Sequence, residues 1–147
     1  MTELQTLCLA IWLGGLVAID MVAAPARFAV IADRNLAAAL GRATFARWSN
    51  VAIVTAGGAV LFGLLATHEP VGIAVAAAGY LALLANRRVV HPGLLGLSSR
   101  LDFQTREGAP EDWQRHRRLH RAAVLLDLAQ LSAAAALLLF PAALGRL

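Results

Sequence analysis

Apolar positions fall into four runs separated by charged stretches. The first covers residues 4–26 and is broken only by Asp20. The second covers 51–67, the third 71–85, and the fourth 122–144, which carries Asp127 and Gln130. A helix that crosses a bilayer needs about 20 residues, with a range near 17 to 25. The first and fourth runs meet this alone. The second and third are short and borrow flanking residues; the third extends through Asn86, Arg87 and Arg88 if the arginines snorkel to the headgroups. His68-Glu69-Pro70 is a tight connection that makes the second and third runs a helical hairpin. The pattern predicts an all-α integral membrane protein: an antiparallel four-helix bundle forming a single domain over residues 1–147. Its spans are about 4–27, 50–67, 70–90 and 121–144.

The connections carry their own signals. Gly108-Ala109-Pro110-Glu111-Asp112 reads as a helix start, because proline suits the first helical position and acidic residues suit the first turn. Nothing interrupts helical propensity from there to Pro141. The fourth helix is therefore expected to begin outside the bilayer near Pro110 and to protrude by about 18 Å, some twelve residues at 1.5 Å each. Pro92-Gly93 is expected to bend or end the third helix. Residues 94–106 and 35–48 read as short amphipathic surface helices, the second with Leu36, Leu40, Phe45 and Trp48 on its apolar side. Small residues recur at four-residue spacing in Gly14/Ala18, Ala59/Gly63 and Ala74/Ala78, a spacing that lets helix backbones approach closely.

Composition supports the membrane reading. Hydrophobic residues make up 59% of the chain and charged residues 15%, against about 25% charged in a soluble domain; the mean hydropathy is +0.66. A soluble enzyme, a nucleic-acid binder and a disordered chain are all excluded by that balance. The net charge of +4 comes from arginine alone, since the sequence has no lysine. Arg27, Arg34, Arg42 and Arg47 lie between the first two runs. Arg87, Arg88, Arg100, Arg106, Arg115, Arg117, Arg118 and Arg121 lie between the last two, and only Arg146 falls elsewhere. Positive connections stay in the cytoplasm, so residues 28–49 and 91–120 are expected as cytoplasmic loops, with both termini and the His68 turn outside. The arginines, with Trp113, also suit anionic lipid headgroups. Arginine-only usage in an alanine-rich chain suggests a bacterial source, and hence the bacterial cytoplasmic (inner) membrane. The opening Met1-Thr2-Glu3 lacks the positive n-region of a secretory signal, so the first run is expected to be a retained helix. Cys8 is the single cysteine, which rules out an intramolecular disulfide.

Two carboxylates inside apolar spans are the main candidate chemistry. Each costs about 2.5 to 3.5 kcal/mol to insert and so needs a partner or a purpose. Asp20 precedes Arg27 by seven residues on an inward-running helix; Asp127 follows His120 by seven on an outward-running one. Seven residues is about two turns and 10 Å of rise, which places both aspartates at a similar depth. Pro25 cannot donate to the carbonyl of Met21, leaving an acceptor beside Asp20. Such a layer can hold a cation, a proton or a cationic ligand group, with Arg27, Arg88, His91, His120 and Arg121 at its mouth. Alternatively, both aspartates are helix-packing locks, paired with Arg27, Arg88 or Arg121 or hydrogen-bonded to Gln130, Thr55 or backbone. His116 and His120 have a metal-compatible spacing, but four flanking arginines repel a divalent cation, so no metal is expected. A haem would need His91 with His120, and both sit near the surface. No nucleophile elbow, phosphate loop or zinc-hydrolase motif occurs, and no catalytic residue is assigned.

Several motifs carry a resemblance. They are Ile11-Trp12-Leu13-Gly14-Gly15-Leu16, Ala24-Pro25-Ala26-Arg27-Phe28, Asn86-Arg87-Arg88-Val89-Val90-His91-Pro92, and Arg118-Leu119-His120-Arg121 with Asp127 seven residues beyond His120. Together they resemble the small bacterial four-helix family called DUF4149, which is similar to the transmembrane protein 205 group. The resemblance covers nearly the whole chain. It implies a four-helix integral membrane protein and no particular reaction; where that family more usually has asparagine, this chain has Asp127. Small four-helix protoporphyrinogen oxidases rely on a first-helix histidine and a third-helix lysine, and this chain has neither.

The function expected from the sequence is that of a structural or accessory subunit of a membrane assembly, as a homo-oligomer or within a larger complex. The alternatives are a transporter or binder of a small ligand or ion at the Asp20/Asp127 layer, and a haem- or porphyrin-linked membrane oxidoreductase.

Overall fold

A computed structural model describes residues 2–66 and 70–139. All regular structure among them is helical. Four helices, Glu3–Val30, Arg34–Leu65, Pro70–Ser98 and Pro110–Leu139, are each long and apolar enough to cross a membrane, which marks a multi-pass membrane protein. The His68 turn, the end of the fourth run beyond residue 139 and Arg146 lie outside the described residues. The helices pack in a closed cycle: first on second, second on third, third on fourth, and fourth on first.

The outer surface is apolar. Val30, Val54, Leu65, Leu81, Val89, Leu125 and Leu139 are each at least 63% exposed. Hydrocarbon, not water, is the solvent that makes such a surface stable, because lipid tails are as apolar as leucine. The interior holds Leu9, Trp12, Leu16, Leu83 and Leu137 among the alanines Ala52, Ala56, Ala59, Ala76 and Ala134. Without a hydrophobic drive between helices, association rests on close packing, and the alanines permit it. Trp12 is fully buried, and its indole lies over Gly79; a Cβ on Gly79 would come 2.7 Å from the ring and 2.9 Å from Ala133. Gly15 similarly admits the Trp48 indole, which would collide with any side chain there. Of the three small-residue pairs marked in the sequence, only Ala59/Gly63 is buried; Gly14, Ala18, Ala74 and Ala78 face outward. The close approaches instead occur where a tryptophan meets a lone glycine.

The stretches expected as loops are largely helical. The anticipated surface helix at residues 35–48 is the opening of one 33-residue helix, Arg34–Ala66, that runs without a break into the second apolar run. The segment is rich in alanine, arginine and leucine, which are strong helix formers, and only Ile31–Asp33 separates it from the first helix. Asp33 begins it by accepting from the backbone N–H of Asn35 (2.8 Å) and Leu36 (3.1 Å). Pro92-Gly93 does not end the third helix, which continues to Ser98. Residues 99–109 therefore form a loop, not the amphipathic helix expected from 94 to 106. The fourth helix starts at Pro110, with Glu111 and Asp112 in its first turn.

Two π segments explain how the helices pass their prolines. Val17–Ala23 precedes Pro25, and Asn86–Val90 precedes Pro92. In an α-turn, each proline ring would press on the carbonyl four residues back, at Met21 or Arg88. The wider turn relieves this. Ala24 donates to the carbonyl of Ile19, and His91 to that of Asn86, each five residues earlier.

Candidate functional site

Both π segments face one cavity of about 430 Å³. Its wall takes Asp20 from the middle of the first segment and Asn86 from the start of the second, together with Asp127 from the fourth helix. Leu16, Ile19, Phe28, Phe45, Leu94, Val124 and Leu131 supply most of the remaining surface. Of the residues singled out from sequence, Asp20, Arg27, His91, His120 and Asp127 line this cavity. Arg88 and Arg121 do not, and both are exposed.

Asp127 is held on two sides. Asn86 Nδ2 donates to its Oδ1 at 2.8 Å, and Gln130 Nε2 donates to the same oxygen at 3.0 Å while also reaching the carbonyl of Leu126 at 3.2 Å. Asp20 is different, because its Oδ2 is buried and has no hydrogen-bond partner. The two carboxylates are close enough to interact by charge, and Arg27 acts on Asp20 in the same way. The Arg27 guanidinium extends to the second helix, where a Cβ on Gly41 would lie 3.3 Å from Nη2.

Several polar atoms around the cavity are buried without a partner: Asp20 Oδ2, Asn86 Oδ1, Arg27 Nε and His91 Nε2. Each costs about 1 to 3 kcal/mol if it stays unsatisfied. All four belong to residues that line the cavity. The His91 ring packs on Phe45 with centroids 4.7 Å apart. Asn86 and His91 are both more than nine-tenths buried.

Arg42, Phe45, Asn86 and His116 line the cavity but were not assigned to a site from sequence. Asn86 had a detectable signal, being an amide between an apolar run and an arginine pair. Arg42 had none, because its helix was expected to lie separately on the surface. His116 and His120 stack in nearly parallel planes, 7° apart with centroids at 6.1 Å. Imidazole lone pairs lie in the ring plane, so parallel rings do not converge on one ion. Among the described residues no group of three or more His, Cys, Asp or Glu side chains is placed to hold a metal.

A hydrogen-bonded loop cap lies at the end near the arginines. Asp102 Oδ1 accepts from Asn35 Nδ2 (2.9 Å) and from the backbone N–H of Gln104 (2.7 Å) and Thr105 (3.0 Å). Asn35 Oδ1 in turn accepts from the Phe103 N–H at 2.8 Å, and Gln104 Oε1 accepts from the Arg34 N–H at 3.0 Å. These donors, Thr105 first and then Asn35, hold the Asp102 carboxyl below the usual aspartate range. The loop thereby carries Phe103 against Trp113 and His116 at 5.5 and 5.3 Å and onto the cavity wall. Compared with known protein families, curated proteins and solved structures, the chain matches none, so the chemistry of the cavity has to be read from its own residues.

Proposed function

We propose that this chain is a bacterial inner-membrane protein that binds and carries a small ligand at the Asp20/Asp127 layer, within an antiparallel four-helix bundle. Both termini lie outside, and the arginine-rich connections lie in the cytoplasm with the Asn35/Asp102 cap. The observation that carries the reading is one cavity lined by both intramembrane carboxylates, with Asp20 Oδ2 and Asn86 Oδ1 buried and unpaired on its wall. A packing lock leaves no such vacancy, since its purpose is to satisfy the buried group it contains. Its volume falls within the ordinary range for small-molecule sites, about 300 to 1,000 Å³. The two π segments that bring Asp20 and Asn86 to it are a kind of distortion frequent at functional positions. The likeness to the DUF4149 pattern fits this architecture and adds no reaction.

Native mass spectrometry of the full chain released from lipid nanodiscs tests the proposal. The wild type is expected to carry a small-molecule adduct that Asp20→Asn and Asp127→Asn lose while remaining folded. A wild-type chain that is bare, or that holds a stoichiometric protein partner equally in both variants, overturns the ligand reading in favour of an accessory subunit. A Soret band in the purified protein would replace it with a haem protein.

A further inference from the structure

Asp20 and Asp127 line one cavity and act on each other by charge, but they are bonded unequally. Asp127 Oδ1 accepts from Asn86 Nδ2 at 2.8 Å and from Gln130 Nε2 at 3.0 Å. Asp20 Oδ2 accepts from no donor and is buried too closely for a water molecule to reach it. Among the described residues, neither carboxylate forms a direct ion pair with an arginine. Arg27, with its Nε buried, is the cation that acts on Asp20. The other charged or titratable groups on the wall are Arg42 of the second helix, His91 of the third, and His116 and His120 of the fourth. Arg42 acts on His91 and borders the open cleft that Asp102 and Glu107 also line, so its countercharges lie there.

We propose that Asp20 and Asp127 form a proton-binding site that holds one proton between them, with Arg27 balancing the charge of the carboxylate that stays ionised. Two carboxylates in an apolar span do not both stay charged beside a single cation; the uncompensated group takes a proton instead. One carboxyl, one carboxylate and one guanidinium sum to zero. The two amide donors favour charge on Asp127, and Arg27 favours charge on Asp20, so the proton belongs to the pair and not to either residue. A proton also suits the closed Oδ2, because it needs none of the room that a ligand atom needs. The proposal concerns what the carboxylates themselves bind and stands whether or not a guest occupies the cavity. A cation drawn to the pair displaces this proton, and an emptied pair recovers it, so the site couples any charge it exchanges to one proton.

The test is a pH titration of the full chain in detergent micelles, labelled with carbon-13 at the aspartate side-chain carboxyls and followed by nuclear magnetic resonance, with each resonance assigned by substitution. At about pH 6.5 exposed aspartates are ionised, and the Asp20 and Asp127 resonances together are expected to retain one proton. Charge balance predicts what separate burial of each residue does not: removing either carboxylate frees the other. Asp20→Asn should leave Asp127 ionised at that pH, and Asp127→Asn should leave Asp20 ionised. Arg27→Gln should raise the pair to two protons, while Arg27→Lys keeps one. Near-ultraviolet circular dichroism of the tryptophans shows whether each variant is folded; if Arg27→Gln is not, the two aspartate variants decide alone. A wild-type pair that is fully ionised or fully protonated at this pH overturns the proposal. So does a carboxyl that keeps its proton after its neighbour becomes asparagine, or a folded Arg27→Gln chain that still holds one proton. The mass-spectrometric adduct decides the ligand reading separately.

Discussion

Asn86 Nδ2 lies 2.8 Å from Asp127 Oδ1, and among the described residues this is the side-chain hydrogen bond that joins the third helix to the fourth. It forms between a residue at the start of a π segment and a carboxylate inside an apolar run. The bond leaves Asn86 Oδ1 without a partner, so the amide satisfies Asp127 at the cost of its own buried oxygen.

Asn86→Ala is therefore expected to destabilise the folded chain by about 0.6 kcal/mol, and by no more than about 1.7 kcal/mol, the average and the maximum found for interhelical hydrogen bonds in membranes. Asp127→Asn should cost less, because an amide oxygen still accepts from Asn86 and Gln130. Reversible unfolding in mixed detergent measures both. An unchanged Asn86→Ala variant would show that the bond contributes nothing to stability.

The glycines separate into those that admit a tryptophan and those that do not. Gly15→Leu drives a side chain into the Trp48 indole, and Gly79→Val drives one into Trp12 and Ala133. Each is expected to lose about 1 to 3 kcal/mol through overpacking. Gly14→Ala is the control, since nothing lies within 4 Å of its added Cβ, and it should be neutral or slightly stabilising. Midpoints of thermal unfolding, followed by near-ultraviolet circular dichroism of the tryptophans, distinguish the three.

Pro25→Ala restores a backbone N–H and removes the ring that the π segment accommodates. Closing that segment to an α-helix would turn the chain before it relative to the chain after it by about 100°, one residue of a 3.6-residue turn. Spin labels at Phe28→Cys and Val124→Cys, in a Cys8→Ser background, should report a shifted or broadened distance distribution when Pro25→Ala is added. Coincident distributions would mean that packing, and not the proline, maintains the π segment.

The loop cap should respond to acid. The folded Asp102 carboxyl is held below its ordinary value of 3.8 by the donors from Thr105, Asn35 and Gln104. A depressed carboxyl contributes its stabilisation fully above the ordinary value and loses it as pH falls through the folded value. Hydrogen-exchange protection at residues 99–109, taken relative to the intrinsic rate at each pH, is expected to be high at neutral pH and to fall on acidification below about pH 4. In Asp102→Asn, protection should be weaker at neutral pH and should lack that acid-dependent step.

Much of the architecture could be read along the chain because the bilayer imposes a local rule. Every backbone group in hydrocarbon must be satisfied within its own helix, so four apolar runs, two of them lengthened by flanking residues, mean four helices, and the start at Pro110 follows from residues at the start itself. The same locality explains the errors at residues 35–48 and 94–106. Amphipathicity does not reveal whether a helix is separate or the continuation of its neighbour. Nor does a proline in the sequence show whether a helix stops or widens into a π-turn and proceeds to Ser98.

The site divides similarly. Asp20 and Asp127 announce themselves because a carboxylate in an apolar run is costly wherever it points, and both line one cavity. That Asn86 reaches Asp127, that Asp20 remains unpaired, and that Arg42 rather than Arg88 or Arg121 joins the cavity wall are decided by helix rotation. That rotation is set by where tryptophans find glycines on other helices and by two π segments that shift register. Both are interactions between distant parts of the chain, which no single stretch of sequence contains.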